Sequence, residues 1–253
     1  MPKISLIIKN LTHKLITIIL GFDVRRVPLP IFPVEFREID RSIIDLVKPF
    51  TMTPITRINA LGLAVQYIKR NQIQGDVVEC GVWAGGSIGA AALFGRGDHI
   101  PRKYWLYDTF AGMTEPGLED GLVARNKYQA NLTPEGVSNW VSVSETEVRT
   151  NLEKLGVDLD LCVFRIGDVK ETLRNFLKPK QIALLRLDTD LYESTLAELQ
   201  ELYPLLKSGG VLIIDDYGAW EGARKAVDEY FSSLSLFPLL IPIDHTCRFV
   251  IKA

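Results

Sequence analysis

Cysteine and histidine are scarce in this chain of 253 residues, with only three of each. Cys80, Cys162 and Cys247 are odd in number, far apart and never in a C-x-x-C pair, so neither a disulfide framework nor a thiolate zinc site is suggested. That usage fits a reducing, cytoplasmic compartment. His13, His99 and His245 are equally scattered, so a metal would be held mainly by carboxylates, which suits a hard ion such as Mg²⁺ or Ca²⁺. An excess of one charge is also missing. Against 31 acidic residues stand 29 basic ones, without the basic stripe of a nucleic-acid binder, so no nucleic-acid partner is expected. Glycine (19) and proline (13) are too few for a low-complexity chain, and 47% hydrophobic residues is the share of an ordinary globular domain.

A clean membrane-spanning run is absent too. The most apolar stretch, residues 4–22, is interrupted by Lys9, His13 and Lys14 and is followed by no small-residue cleavage site, so neither a span nor a secretory signal fits. Two readings remain: an amphipathic helix packing on the domain or on a second subunit, which is preferred, and a basic interfacial helix making peripheral membrane contact. A homo-oligomer is expected. Residues 27–33, with Pro28, Pro30 and Pro33, read as an extended connector. Residues 1–50 thus form an N-terminal helical extension with its connector, and 51–253 the main domain.

Beyond this extension, helical spacing covers residues 35–47, and Thr53-Pro54 reads as an N-cap followed by proline at the first helical position of a helix to Arg70. Apolar runs then predict strands at 76–82, 103–109, 161–167, 182–188, 211–215, 239–243 and 248–252. Helical patterns fall at 87–94, 145–155, 169–177, 195–206 and 221–233, while 115–144 reads as a long loop or lid. The alternation argues an α/β fold with a doubly wound, mostly parallel sheet, whose last two strands form a hairpin.

In such sheets ligands bind beyond the carboxyl ends of the strands. The first strand ends in Glu79-Cys80-Gly81-Val82-Trp83-Ala84-Gly85-Gly86-Ser87, a glycine-rich turn into a helix whose N-terminus favours an anionic group; it also fits a plain tight turn. Asp108 ends the second strand at a spacing suited to the two hydroxyls of a ribose, and Asp168 ends the third. Both also fit ordinary caps. Asp188-Thr189-Asp190 and Asp215-Asp216 end the next two strands. If those strands are neighbours, four carboxylates converge and call for a divalent cation.

ECGVWAGGS, LYDTFAGMTEP, ALLRLDTDLYEST and GGVLIIDDYGAWEGARKAVDEYF together resemble the macrocin O-methyltransferase (TylF-type) family from about Thr51 onward. The resemblance implies a class I methyltransferase (Rossmann-like) fold with a seven-stranded sheet and an antiparallel last strand. It also implies S-adenosylmethionine as methyl donor, Mg²⁺ or another divalent cation, and a sugar or glycan acceptor with vicinal hydroxyls. By position, Glu79, Gly81, Gly85 and Ser87 would hold the methionine part, closed over by Thr51, Met52 and Thr53. Asp108 with Thr109 would hold the ribose, Asp168 the adenine side, and Asp188 would border the cofactor. Asp188, Asp215 and Asp216 would bind the metal, with Asp190 as general base. Two alternatives stay open: a D-x-D glycosyltransferase built on Asp188 and Asp190, and a non-catalytic binding protein on the same fold. Trp83 and Trp220 could be core or could border the ligands.

Overall fold

A computed structural model describes residues 32–134, 136 and 138–253. The expectations for residues 4–22 and most of the proline connector lie outside them. No helix among the described residues is long and apolar enough to cross a membrane.

Seven strands form one sheet: β1 (Asp76–Cys80), β2 (Tyr104–Asp108), β3 (Cys162–Ile166), β4 (Ile182–Leu187), β5 (Leu206–Ile214), β6 (Ile241–Pro242) and β7 (Arg248–Ile251). Their order is β3-β2-β1-β4-β5-β7-β6. The first five run parallel, and β7 enters antiparallel between β5 and β6. The predicted doubly wound sheet and closing hairpin are therefore observed. β6 is shorter than the apolar run suggests, and its Pro242 stands on the edge strand, where a missing N–H costs no ladder bond.

Strand alternation sends neighbouring side chains to opposite faces. Val77, Leu106, Leu184 and Ile213 enter one buried cluster, with α1 (Glu38–Val47), α2 (Ile55–Arg70), α3 (Gly86–Phe94) and α5 (Glu145–Lys154). Val78, Tyr107, Leu185 and Leu212 enter the other, with α6 (Val169–Asn175), α7 (Tyr192–Leu202) and α8 (Glu221–Ser233). Phe36, Ile43, Ile44 and Val47 are buried in the first cluster, so the region around α1 is part of that core.

Three local expectations need correction. Pro54, with extended backbone, is itself the N-cap of α2, and the Thr53 hydroxyl turns instead toward Ser87 and Arg186. The helix expected at 195–206 begins at Tyr192 and ends at Leu202, because the following turn contains Pro204, which cannot extend an α-helix. The stretch 115–144 is not all loop: it holds α4 (Gly121–Ala130), whose buried side chains are only Ala124 and Tyr128.

Candidate functional site

At the carboxyl ends of β1, β4 and β5 the backbones draw together. Gly81 has φ +81°, and a Cβ there would collide with the carbonyl oxygen of Asp188. The Asp188 amide donates to the Cys80 carbonyl, and the Asp215 amide to that of Leu187, both at 2.9 Å. Since β4 and β5 are neighbours, the acids that follow them meet: carboxylate oxygens of Asp188, Asp215 and Asp216 all lie within 4.8 Å of one another. Asp190 closes the same turn in a left-handed conformation, φ +66°, which Asp tolerates better than most residues.

These acids line a cavity of about 360 Å³ together with Met52, Thr53, Gly81, Asp108, Thr109 and Asp168. Gly85, Ser87, Thr51 and Glu79, also expected at the cofactor, are not among the residues that line it. The hydroxyls of Thr51 and Thr53 lie 3.4 and 3.2 Å from that of Ser87, which ties the segment before α2 to the glycine turn. Gly86 permits that closeness, because a side chain there would strike the Phe50 carbonyl.

Asp108 accepts hydrogen bonds from the Val82 and Trp83 amides, at 2.6 and 3.1 Å, and from the Phe110 amide at 2.8 Å. It thus staples the glycine turn to the loop after β2 while lining the cavity. Asp168 caps α6 through the Lys170 amide, at 2.9 Å, and also faces the cavity. Cap and ligand contact are therefore compatible at both positions.

Two arginines, neither of them predicted as a site residue, organise the acids. Arg186 is 4% exposed and sits in register opposite Glu79 on β1. It pairs with Glu79, reaches Asp188 at 2.7 Å and Asp215 at 3.2 Å, and donates to the Thr53 hydroxyl at 3.1 Å. Arg57 of α2 binds Asp215 at 2.7 Å and Asp244 at 2.7 Å, and donates to the Thr246 hydroxyl. The available signal was Arg186 itself, a lone cation inside the apolar run ALLRL.

Burial and crowding govern the acids' protonation. Burial raises Asp215, yet Arg186 and Arg57 overcome it and hold this carboxyl below its ordinary value. Burial, reinforced by neighbouring acids, pushes Asp188 and Asp216 well up and Asp190 to about 7. Burial likewise lifts Glu79 to about 7 against the pull of Arg186. One buried oxygen of Asp216 has no hydrogen-bond partner among the described residues. A set of hard oxygen donors, close together and holding such an orphaned atom, fits a divalent cation of the Mg²⁺ type.

Beneath the turn, the Thr189 hydroxyl donates to the buried Glu198 carboxylate at 2.8 Å and lies 2.8 Å from the Ser194 hydroxyl. Trp140 and Trp220, which also line the cavity, meet edge to face with centroids 5.6 Å apart. The Lys127 ammonium of α4 lies over both rings. Trp83 also lines the cavity. Trp140 and Lys127 were hidden in the stretch read as loop.

The model of the macrocin-O-methyltransferase (TylF) family matches residues 44–252. A Streptomyces olivaceus protein described as 8-demethyl-8-(2,3-dimethoxy-alpha-L-rhamnosyl)-tetracenomycin-C 4'-O-methyltransferase is 36% identical over 78% of this chain and 73% of its own length. The demethyldecarbamoylnovobiocin O-methyltransferase of Streptomyces niveus is 35% identical over 77% of this chain and 72% of its own. Among solved structures, that of the O-methyltransferase NovP superposes with a TM-score of 0.71 at 33% identity, covering 81% of this chain and 82% of that one. Given that match, this protein belongs to the macrocin O-methyltransferase family, and it is an O-methyltransferase.

Proposed function

We propose that the protein transfers the methyl group of S-adenosylmethionine to a hydroxyl of a sugar carried by a natural product or glycan. The Streptomyces olivaceus relative supports the acceptor class, since its name describes methylation of a rhamnosyl compound. The observation that carries the reading is the convergence of Asp188, Asp190, Asp215 and Asp216 on a cavity that also contains Gly81 and Asp108.

In this reading residues 51–253 form the methyltransferase domain and residues 1–50 its extension. Glu79, Gly81, Gly85 and Ser87 shape the methionine end, and Thr51, Met52 and Thr53 cover it. Asp108 and Thr109 receive the ribose, Asp168 lies toward the adenine, and Asp188 borders both the cofactor and the acceptor. Asp188, Asp215 and Asp216 would hold Mg²⁺, which when bound lowers the pKa of a chelated sugar hydroxyl and orients it. Asp190 accepts the hydroxyl proton as the oxygen forms its bond to the methyl carbon. The carbon–sulfur bond breaks, and its electron pair remains on sulfur as a neutral thioether. Arg57 and Arg186 keep Asp215 ionised and fixed in direction.

The test is methyl transfer from labelled S-adenosylmethionine to a panel of glycosylated acceptors, before and after complete chelation. Activity should vanish on chelation and return with Mg²⁺, while calorimetry still detects cofactor binding. Undiminished transfer by metal-free protein, or no binding of S-adenosylmethionine, would overturn the proposal.

A further inference from the structure

Lys127 is a cation to which the mechanism above gives no contact with the acceptor, although its charge pulls against the upward shift of Asp190. It lines the same cavity as the acids, on the lid helix α4. Its ammonium stands 4.8 Å from the ring centroid of Trp220 and 5.6 Å from that of Trp140. Arg57, the other cation on this wall, is fully engaged by Asp215, Asp244 and Thr246. Lys127 is exposed, and among the described residues its ammonium makes no ion pair or hydrogen bond with the protein. Indole faces hold a cation in place while leaving its N–H groups open to solvent or to a ligand in the cavity.

Position gives the donors a meaning. Trp220 is the N-cap of α8, four residues beyond Asp216, so the aromatic pair adjoins the acid rim. A sugar whose diol lies against that rim would lean on the indoles and bring its far substituent toward Lys127. A cavity that carries four acids and, over an indole pair beside them, an ammonium open to a ligand suits a molecule with a diol and an anion a short distance apart.

We propose that Lys127, seated on Trp140 and Trp220, is a specificity-determining residue that reads an anionic group, phosphate or carboxylate, on the sugar acceptor. The inference rests on the methyl-transfer reading and narrows its substrate class. Glycosyl phosphates or acidic sugars are preferred over neutral glycosides.

The experiment compares one sugar in four forms: methyl glycoside, 1-phosphate, nucleoside diphosphate ester and uronic acid. Each is assayed for kcat/KM with S-adenosylmethionine and Mg²⁺, and for quenching of tryptophan fluorescence in protein loaded with S-adenosylhomocysteine. At least one anionic form should exceed the neutral glycoside by about tenfold, the size expected of a hydrogen bond between charged groups. The phosphate and uronate arms identify which anion is read. Lys127→Met should collapse the ratio toward one, and Lys127→Arg should keep it. Equal treatment of neutral and anionic forms by the native protein would overturn the inference. So would an equal loss for both forms in Lys127→Met, which marks a lysine that only holds the lid. Should no form be methylated, the activity itself is refuted, and the fluorescence titration still decides whether the cavity prefers anions.

Discussion

Asp190 combines two demands in one side chain: a carboxylate facing the cavity and a backbone at φ +66°. Asn tolerates that backbone at least as well as Asp, so Asp190→Asn isolates the chemistry from the strain. Turnover should fall by about 10²–10⁴, the usual weight of a general base, with calorimetric cofactor binding intact. Unchanged turnover would remove Asp190 from that role. The acids were readable in the sequence because each ends a strand, and strand ends can be located one strand at a time. Arg186 and Glu79 were not readable as a pair, because their meeting depends on β1 lying beside β4 in a particular register. Arg57 is a further case. Its partners Asp215 and Asp244 lie 158 and 187 residues away, and only the folded sheet brings them together.

Among the elements, α4 is the one the sequence concealed. With Ala124 and Tyr128 as its only buried side chains, it lacks the apolar stripe that marks a helix packed on a core. What holds it is polar. Asp120, 4% exposed, accepts from the Tyr192 amide at 2.6 Å and the Gly117 amide at 2.8 Å, and Glu119 pairs with Lys225 of α8. Gly222 makes room for that anchor, since any side chain there would meet the Asp120 carboxylate. Replacing Asp120 with Ala should remove about 1–3 kcal/mol for the unpaired Tyr192 amide and loosen α4 locally. Hydrogen exchange would show it as faster exchange in residues 121–130 with the sheet unchanged; unaltered protection of α4 would mean the helix is held by other contacts. Strands β1 to β5, by contrast, were legible because they are buried on both faces and read as short apolar runs.

For the whole molecule, buried acids set opposing limits to stability. Asp244 is raised by burial but lowered further by Arg57 and the Cys247 and Thr246 amides. Its contribution is complete above the unfolded value of about 3.9 and is lost as pH falls below it. Glu79 and Glu198 are raised by burial, Glu79 to about 7, so the folded state holds their protons more tightly than the unfolded chain. Stability from Glu79 falls as pH rises from about 4.5 toward 7, and that from Glu198 falls as pH rises above its unfolded value. Melting temperature should therefore peak on the acid side of neutrality. Glu198→Gln should raise it at pH 8, by about 2–4 °C for each kcal/mol gained, and change it little at pH 5. A flat profile in thermal melts from pH 3 to 9 would contradict this balance.

The clamp on Asp215 has a consequence for how the protein is made. Arg57 emerges from the ribosome early, whereas Asp244 and Thr246 follow some 190 residues later. Throughout most of synthesis the nascent chain can form its glycine turn and lay down β1 to β3, but the guanidinium that orients Asp215 lacks all three of its partners, Asp215, Asp244 and Thr246. Under the proposed function, competence to bind the acceptor is thus the last property to appear, acquired only when the β6–β7 hairpin docks beside β5.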